Sequence, residues 1–276
     1  MELARPYVAA FSARFLLMLQ YRAAAFAGFL TQCWWGGIKI MVYAAFYRTS
    51  HASTHPGITL AQVATYTWLN QGLLALMPWG CDPEVALAVR TGAVSHDRLR
   101  PVDTYAFWYA RAAAYMTSRA APRALLMVLL AGIAMPLLGF HELSWAPPPS
   151  VTQAALFVLS LVLMVCLSSA FMMLLNVAVV VTLNDRWVSQ SLNPLLVVLS
   201  GSLVPLALYP QWAQRALFFQ PFAGIVDIPF RIYSGNLAGT PAYEGLALQI
   251  LWIVVLVWVG RVWMARVMRR LDVQGG

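Results

Sequence analysis

The sequence predicts an all-α integral membrane protein with six transmembrane helices, and three observations predict it. Of its 276 residues, 61% are hydrophobic and only 10% are charged. A soluble domain carries about a quarter charged residues, so this chain cannot cover a water-facing surface. Six mainly apolar stretches reach the roughly 20 residues that a helix needs to cross a bilayer core of about 30 Å. Finally, the arginines fall unevenly between the connections, as they do where a membrane sets the orientation.

Residues 1–23 come before the first span. Tyr7, Phe11, Phe15 and Met18 recur four, four and three residues apart. That is one helical stripe, with Arg5, Arg14, Arg22 and Gln20 available for the other faces. The pattern predicts a helix over about 5–23 lying in the headgroup layer. Its charges are spread along it instead of gathered ahead of an apolar run, which argues against a cleavable signal peptide.

The spans are expected at about 24–46, 60–79, 104–140 (with its core at 122–140), 152–182, 188–208 and 246–265. Polar or proline-rich interruptions separate them. Arg48 to Gly57 carries His51, His55 and Pro56, and residues 80–103 hold much of the chain's charge. His141 to Ser150 contains three consecutive prolines, and Asn184, Asp185 and Arg186 make a short turn. Residues 209–245 are broken by Pro210, Pro221, Pro229, Gly235 and Pro241.

Six spans put both termini on one side. With a cytoplasmic N-terminus that side holds fourteen arginines, against four Lys or Arg on the other (Lys39, Arg48, Arg215 and Arg231). The positive-inside rule makes both ends cytoplasmic. No internal repeat divides the chain, so it is expected to form one transmembrane domain over 1–276, without the inverted halves of many secondary transporters.

Several chemistries lack their residues. The single lysine, Lys39, stands in Gly36-Gly37-Ile38-Lys39-Ile40 and has no Walker A context, so any ATP hydrolysis belongs to another chain. None of the ten acidic residues falls in the middle of an expected span, where a proton-coupled carrier places one. His51 and His55 are four apart but precede Pro56, a poor setting for a metal, and Cys33, Cys81 and Cys166 lack ligand spacing. The net charge of +8 is assigned to cytoplasmic loops and not to nucleic acid, because no basic cluster with interleaved aromatics lies outside an apolar segment. No catalytic residue, metal or cofactor is assigned to this chain. The neutral polar residues expected inside spans are Gln32, Asn70, Gln71, Ser168, Ser169, Asn176, Asn193 and Ser200. They either bond helix to helix or, for Gln71, Asn176 and Asn193, line a weakly selective path.

The most informative segment is 82–103. Asp82 suits an N-cap, Pro83 the first helical position and Glu84 the positive end of the helix dipole; Arg90 suits the last turn and Gly92 the stop. A charged return through Arg98, Arg100 and Pro101 follows. A short capped helix of this kind is either an ordinary loop or a docking knob for a soluble partner.

Here the residues carry a resemblance. Val89-Arg90-Thr91-Gly92, followed by Arg98-Leu99-Arg100-Pro101-Val102, resembles the "I-R-x-G … L-L-R-P" signature of bacterial ABC-2 type transporter permeases of the viologen-exporter-like kind. Leu203 to Trp212 with Pro205 and Pro210, then Gln220-Pro221-Phe222 and Pro229 to Gly235 with Tyr233, is similar to that family's "I-P-L-x-l-F-P-x-W … P-F … P-x-x-I-Y-x-G". Residues Arg14 to Arg22 resemble its elbow helix. The chain departs from the pattern at Asp97-Arg98, where a more apolar pair is expected, and at Val204 and Tyr209.

The resemblance implies a type V exporter-like fold with an elbow helix at about 5–23, a coupling region at about 82–103 and outer re-entrant helices at about 209–240. It implies a permease subunit of an ATP-binding cassette exporter in the bacterial inner membrane. ATP and Mg would be bound by two copies of a separate ATPase, and a second, related but non-identical permease would complete the path. The ATPase contact would fall on Glu84, Val85, Val89, Arg90, Gly92, Arg98 and Arg100. The outer gate would be built from Pro205, Pro210, Trp212, Pro221, Phe222, Pro229, Tyr233 and Gly235, with Trp212, Phe218, Phe219 and Phe222 packing it or anchoring it at the interface. Competing expectations are a stand-alone secondary or facilitative carrier and a non-transporting membrane scaffold.

Overall fold

The computed structural model describes residues 5–49, 57–94, 97 and 101–270. No strand occurs among them. In chain order the helices are α1 (Arg5–Leu19), α2 (Arg22–Thr49), α3 (Leu60–Leu73), α4 (Pro83–Thr91), α5 (Thr104–Leu137), α6 (Val151–Thr182), α7 (Asp185–Leu199), α8 (Gln211–Phe219), α9 (Asp227–Tyr233) and α10 (Thr240–Arg270).

Three of them, α5, α6 and α10, are long and apolar enough to cross a membrane. They match the stretches expected at 104–140, 152–182 and 246–265. In its most apolar window α6 is 56% buried within the chain, against 17% for α5 and 28% for α10. So α6 is the central post, and its neighbours turn faces outward. Its ends are set by local chemistry. The Ser150 side chain accepts from the Gln153 N–H at one end, and Leu183 turns left-handed at the other. Asn184 then caps α7 by accepting from the Trp187 N–H.

The remaining expected spans differ. Helix α2 has 28 residues but interrupts its apolar run with Gln32, Gly36, Gly37 and Lys39. Helices α3 and α7 have 14 and 15 residues, short of the roughly 20 that cross a bilayer. The apolar runs at 60–79 and 188–208 continue beyond the helices because the following turns are themselves packed inside. The 3-10 turns Leu74–Leu76 and Leu206–Leu208 carry buried residues of those runs.

Helix α1 ends at Leu19, short of the end expected near 23, and lies along α5. Tyr7, Phe11, Phe15 and Met18 are all partly buried, and Phe11 stacks on Phe15 at 5.9 Å. The placing of its arginines needs correction: Arg14 is on the inward face, 6% exposed. Helix α5 passes through a π-helical stretch, Val128–Ala134, where the Ala131 carbonyl also accepts from the Trp145 N–H at 2.8 Å. The main core joins α3, α5, α6 and α7 through Tyr66, Leu69, Met116, Met127, Met164, Leu167 and Leu196.

Candidate functional site

Two polar clusters lie toward opposite ends of α6. The first surrounds α4, whose capping follows the sequence in every particular. Asp82 accepts from the Glu84 N–H at 2.9 Å, Pro83 takes the first turn, and Gly92 closes the helix at φ 74°.

Asp82 does more than cap. Its side chain is 1% exposed and pairs with the Arg14 guanidinium of α1 at 3.1 Å. Its own N–H donates to the Asn176 carboxamide oxygen on α6 at 2.8 Å. Glu84 pairs with both Arg14 and Arg111 of α5, and Arg111 in turn lies over the Phe107 ring. At the far end of α4, Arg90 pairs with Asp185 at the start of α7. One nine-residue helix is thus tied by charge or hydrogen bond to α1, α5, α6 and α7. Burial pushes Asp82 above its usual carboxylate range despite the neighbouring arginines, and burial lowers Arg14. The Arg90 contact holds the partly exposed Asp185 below its ordinary value.

The faces of α4 divide cleanly. Val85, at 3% exposed, packs among Tyr105, Trp108, Met173 and Val177, so its side chain faces the chain's own core and not a partner. Val89 is half-buried beside Ala86, Leu175, Val179 and Val188. The outward face carries Glu84, Leu87 and Arg90, three residues apart. Leu87 is 59% exposed and is absent from the contact residues that the sequence suggests. The signal was available: 85, 86 and 89 form the apolar stripe that packs inward, which leaves 84, 87 and 90 outside. Gly92 is exposed. Arg98 and Arg100 lie outside the described residues, as do His51 and His55.

The second cluster centres on α9. The Asp227 carboxylate is fully buried and pairs with Arg231 at 3.2 Å. It also accepts from the Leu206 N–H at 2.9 Å and from the Tyr66 hydroxyl at 3.4 Å. That hydroxyl is 3.0 Å from the Gly201 carbonyl oxygen. Gly201 has a φ of 86°, and a Cβ there would sit 2.5 Å from the Tyr66 hydroxyl, so both conformation and space require glycine. Nearby, Lys39 donates to the Ser202 carbonyl at 2.8 Å and Asn70 donates to the same carbonyl at 3.0 Å. The turn after α7 is therefore held by α2, α3 and α9 together. Lys39, Asn70, Tyr66, Asp227 and Arg231 were not recognised as a group in the sequence, because 39 and 227 are remote in the chain and no spacing rule joins them.

The expected gate residues fall around this cluster. Pro205 and Pro229 are buried, and Pro210 and Pro221 open α8 and the 3-10 turn Pro221–Gly224. Phe222 stacks on Phe171 of α6 at 4.9 Å. Tyr233 meets Phe157 edge-on at 4.8 Å, and Gly235 packs closely on Pro149. Phe218 joins the α6–α9–α10 core. Trp212 and Phe219 are 78% and 62% exposed, so of the two expectations for them, packing and interfacial anchoring, their placement at the surface fits the second.

Of the three residues expected to line a path, Asn176 is fully buried and spent on holding α4 to α6. Gln71 is also buried, with its carboxamide oxygen unpaired, and the Asn193 oxygen is likewise buried and unpaired.

A helical chain with three membrane-length apolar helices, short broken helices at one end and a capped charged helix at the other has the organisation of a membrane-embedded transport subunit. The match to known families makes this specific. The model for the ABC-2 family transporter protein covers residues 34–275, and the chain belongs to that family. It is thus an ABC transporter permease of ABC-2 type, resident in a membrane. A search of the curated proteins finds no match.

Proposed function

We propose that this chain is the permease half of an ABC exporter with six spans and both termini in the cytoplasm, and that α4 is the helix its ATPase pushes. The observation that carries this is the outward Glu84–Leu87–Arg90 face on a helix fastened to α1, α5, α6 and α7. A force on α4 passes to α1 and α5 through Arg14 and Arg111, to α6 through Asn176, and to α7 through Asp185. Rigid elements joined by discrete contacts are what transmit a rocking motion. Leu87 offers an apolar anchor with a charge of each sign beside it, a suitable centre for a contact with a soluble partner.

In this reading ATP and Mg reside on two copies of a separate ATPase, and a second, related permease completes the path in the bacterial inner membrane. The segment 209–235 folds back at membrane depth as the outer gate. Its non-helical backbone is tolerated there because it packs on protein, and the Asp227–Arg231–Tyr66 cluster is its latch.

The test is co-purification. The full chain, tagged and gently extracted, should bring down a P-loop ATPase and a second membrane subunit. Leu87→Glu should leave stability within about 0.5 kcal/mol, as for an exposed site, while ATPase recovery falls roughly tenfold or more. Full recovery with Leu87→Glu would remove α4 from the contact. A chain that comes out alone in several mild detergents would favour a stand-alone carrier.

A further inference from the structure

Where α1 hands over to α2, a cleft of about 630 Å³ opens against the middle of α5. Met18, Tyr21, Phe26, Pro122, Leu125 and Leu126 make its apolar walls. Arg119 and Arg123, one turn apart on α5, supply its only charges among the described residues.

Neither arginine has a carboxylate partner among the described residues. Arg119 donates to the Tyr115 hydroxyl at 2.8 Å and lies 5.0 Å over that ring. The Arg123 Nε is buried without any hydrogen-bond partner. Its guanidinium packs on the backbone of Gly28 in α2, where a Cβ would come within 2.6 Å. Two like charges at i and i+4 repel, and a guanidinium against apolar walls is costly without a counter-charge. The missing complement is an anion.

The surroundings say what kind of anion. Phe26 and Leu125 are exposed at the rim, and Leu30 and Leu129 continue the same faces one turn on, also exposed. The hydrocarbon core of this span is expected to begin near residue 122, which sets both arginines at its boundary. A charged head meeting two guanidinium groups, with an apolar track leading away from it, is the shape of a phospholipid. Planar guanidinium groups grip phosphate oxygens bidentately, and basic pockets between helices at the cytoplasmic level take anionic headgroups.

We propose that this cleft holds the phosphate of an anionic phospholipid, with its acyl chains along the Phe26–Leu30 and Leu125–Leu129 faces. The site is separate from the α4 contact and does not depend on it.

The test is native mass spectrometry of the purified full chain with equal amounts of dioleoyl phosphatidylglycerol and dioleoyl phosphatidylcholine. The wild type should retain the anionic lipid roughly tenfold over the neutral one. Arg119→Gln with Arg123→Gln should abolish that preference, and the corresponding double lysine variant should keep most of it. Excess glycerol phosphate should not displace the lipid. Equal retention of the two lipids, or an unchanged preference in the double glutamine variant, overturns the proposal. Displacement by glycerol phosphate would make the occupant a free anion. A change of oligomeric state without loss of lipid preference would make the face a protein interface. If the double glutamine variant does not remain monodisperse, Arg119→Gln alone decides, by the same comparison.

Discussion

Toward each end of α6 lies a buried aspartate paired with an arginine, and the two pairs are built in opposite ways. Asp227 finds Arg231 four residues along its own helix and draws in a backbone N–H and a tyrosine hydroxyl, so the carboxylate is closed in on all sides. Asp82 finds Arg14 across 68 residues, and Arg14 is shared with Glu84, which is 45% exposed. The α4 cluster thus grades outward into partly solvated pairs, ending in Arg90 and Asp185 at 59% and 34% exposed. Buried pairs are costly to break, whereas exposed ones are cheap to break and re-form. The α9 cluster is suited to holding a shape, and the α4 cluster to passing a displacement between elements while remaining joined.

The contrast is sharpest in what removal of each aspartate should do. Asp227→Ala leaves Arg231 without its carboxylate and the Leu206 N–H without its acceptor, inside a packed region. The expected loss is about 3–5 kcal/mol, read as the unfolding midpoint of the detergent-solubilised chain. Asp82→Ala should cost less, about 2 kcal/mol from the lost cap and the weakened pair, because Glu84 still faces Arg14. Adding Arg14→Met to Asp82→Ala should recover part of that loss, since the stranded charge goes with it. Equal losses at the two aspartates would erase the distinction between a closed and a shared cluster.

What the sequence made legible was local. The Asp82, Pro83 and Gly92 signals bounded α4 because caps act over one turn. The 152–182 run bounded α6 (Val151–Thr182) to within a residue because it is uninterrupted. Residues whose role lies across the chain were opaque. Asp82 reads as a cap, and nothing adjacent reveals Arg14 or Asn176. Asn176 reads either as a helix–helix bond or as a path lining, because a polar group in an apolar run shows no partner in the sequence. Arg14 reads as solvent-facing because charge normally is. The expected spans at 60–79 and 188–208 run past the ends of α3 and α7 for a related reason: hydropathy reports burial, and the turns after these helices carry buried residues too. On α4 the sequence suggests Glu84 and Arg90, which lie outward, and Val85, which packs inward, but not Leu87, which shares the outward face.

The smallest expected effect separates the two aspartates of the α4 region by the sign of their pH dependence. Burial raises Asp82 above its ordinary value of 3.8, so the folded chain takes up a proton there at higher pH than the unfolded chain does. Stability from this group is therefore greatest below 3.8 and falls as pH rises through the raised value. Asp185, held below 3.8 by Arg90, runs the other way. Its contribution is present above 3.8 and is lost only as pH falls through the lowered value. Unfolding midpoints followed from neutral pH toward 3.8 isolate the first effect. Wild type should gain stability relative to Asp82→Asn as the pH falls, while its difference from Asp185→Asn should stay level over the same range. A level difference for Asp82→Asn would mean that Arg14 and Arg111 compensate the burial of Asp82 in full. The α4 cluster would then be as firmly closed as the one around Asp227, and too rigid at its inner end to serve as the yielding joint of a lever.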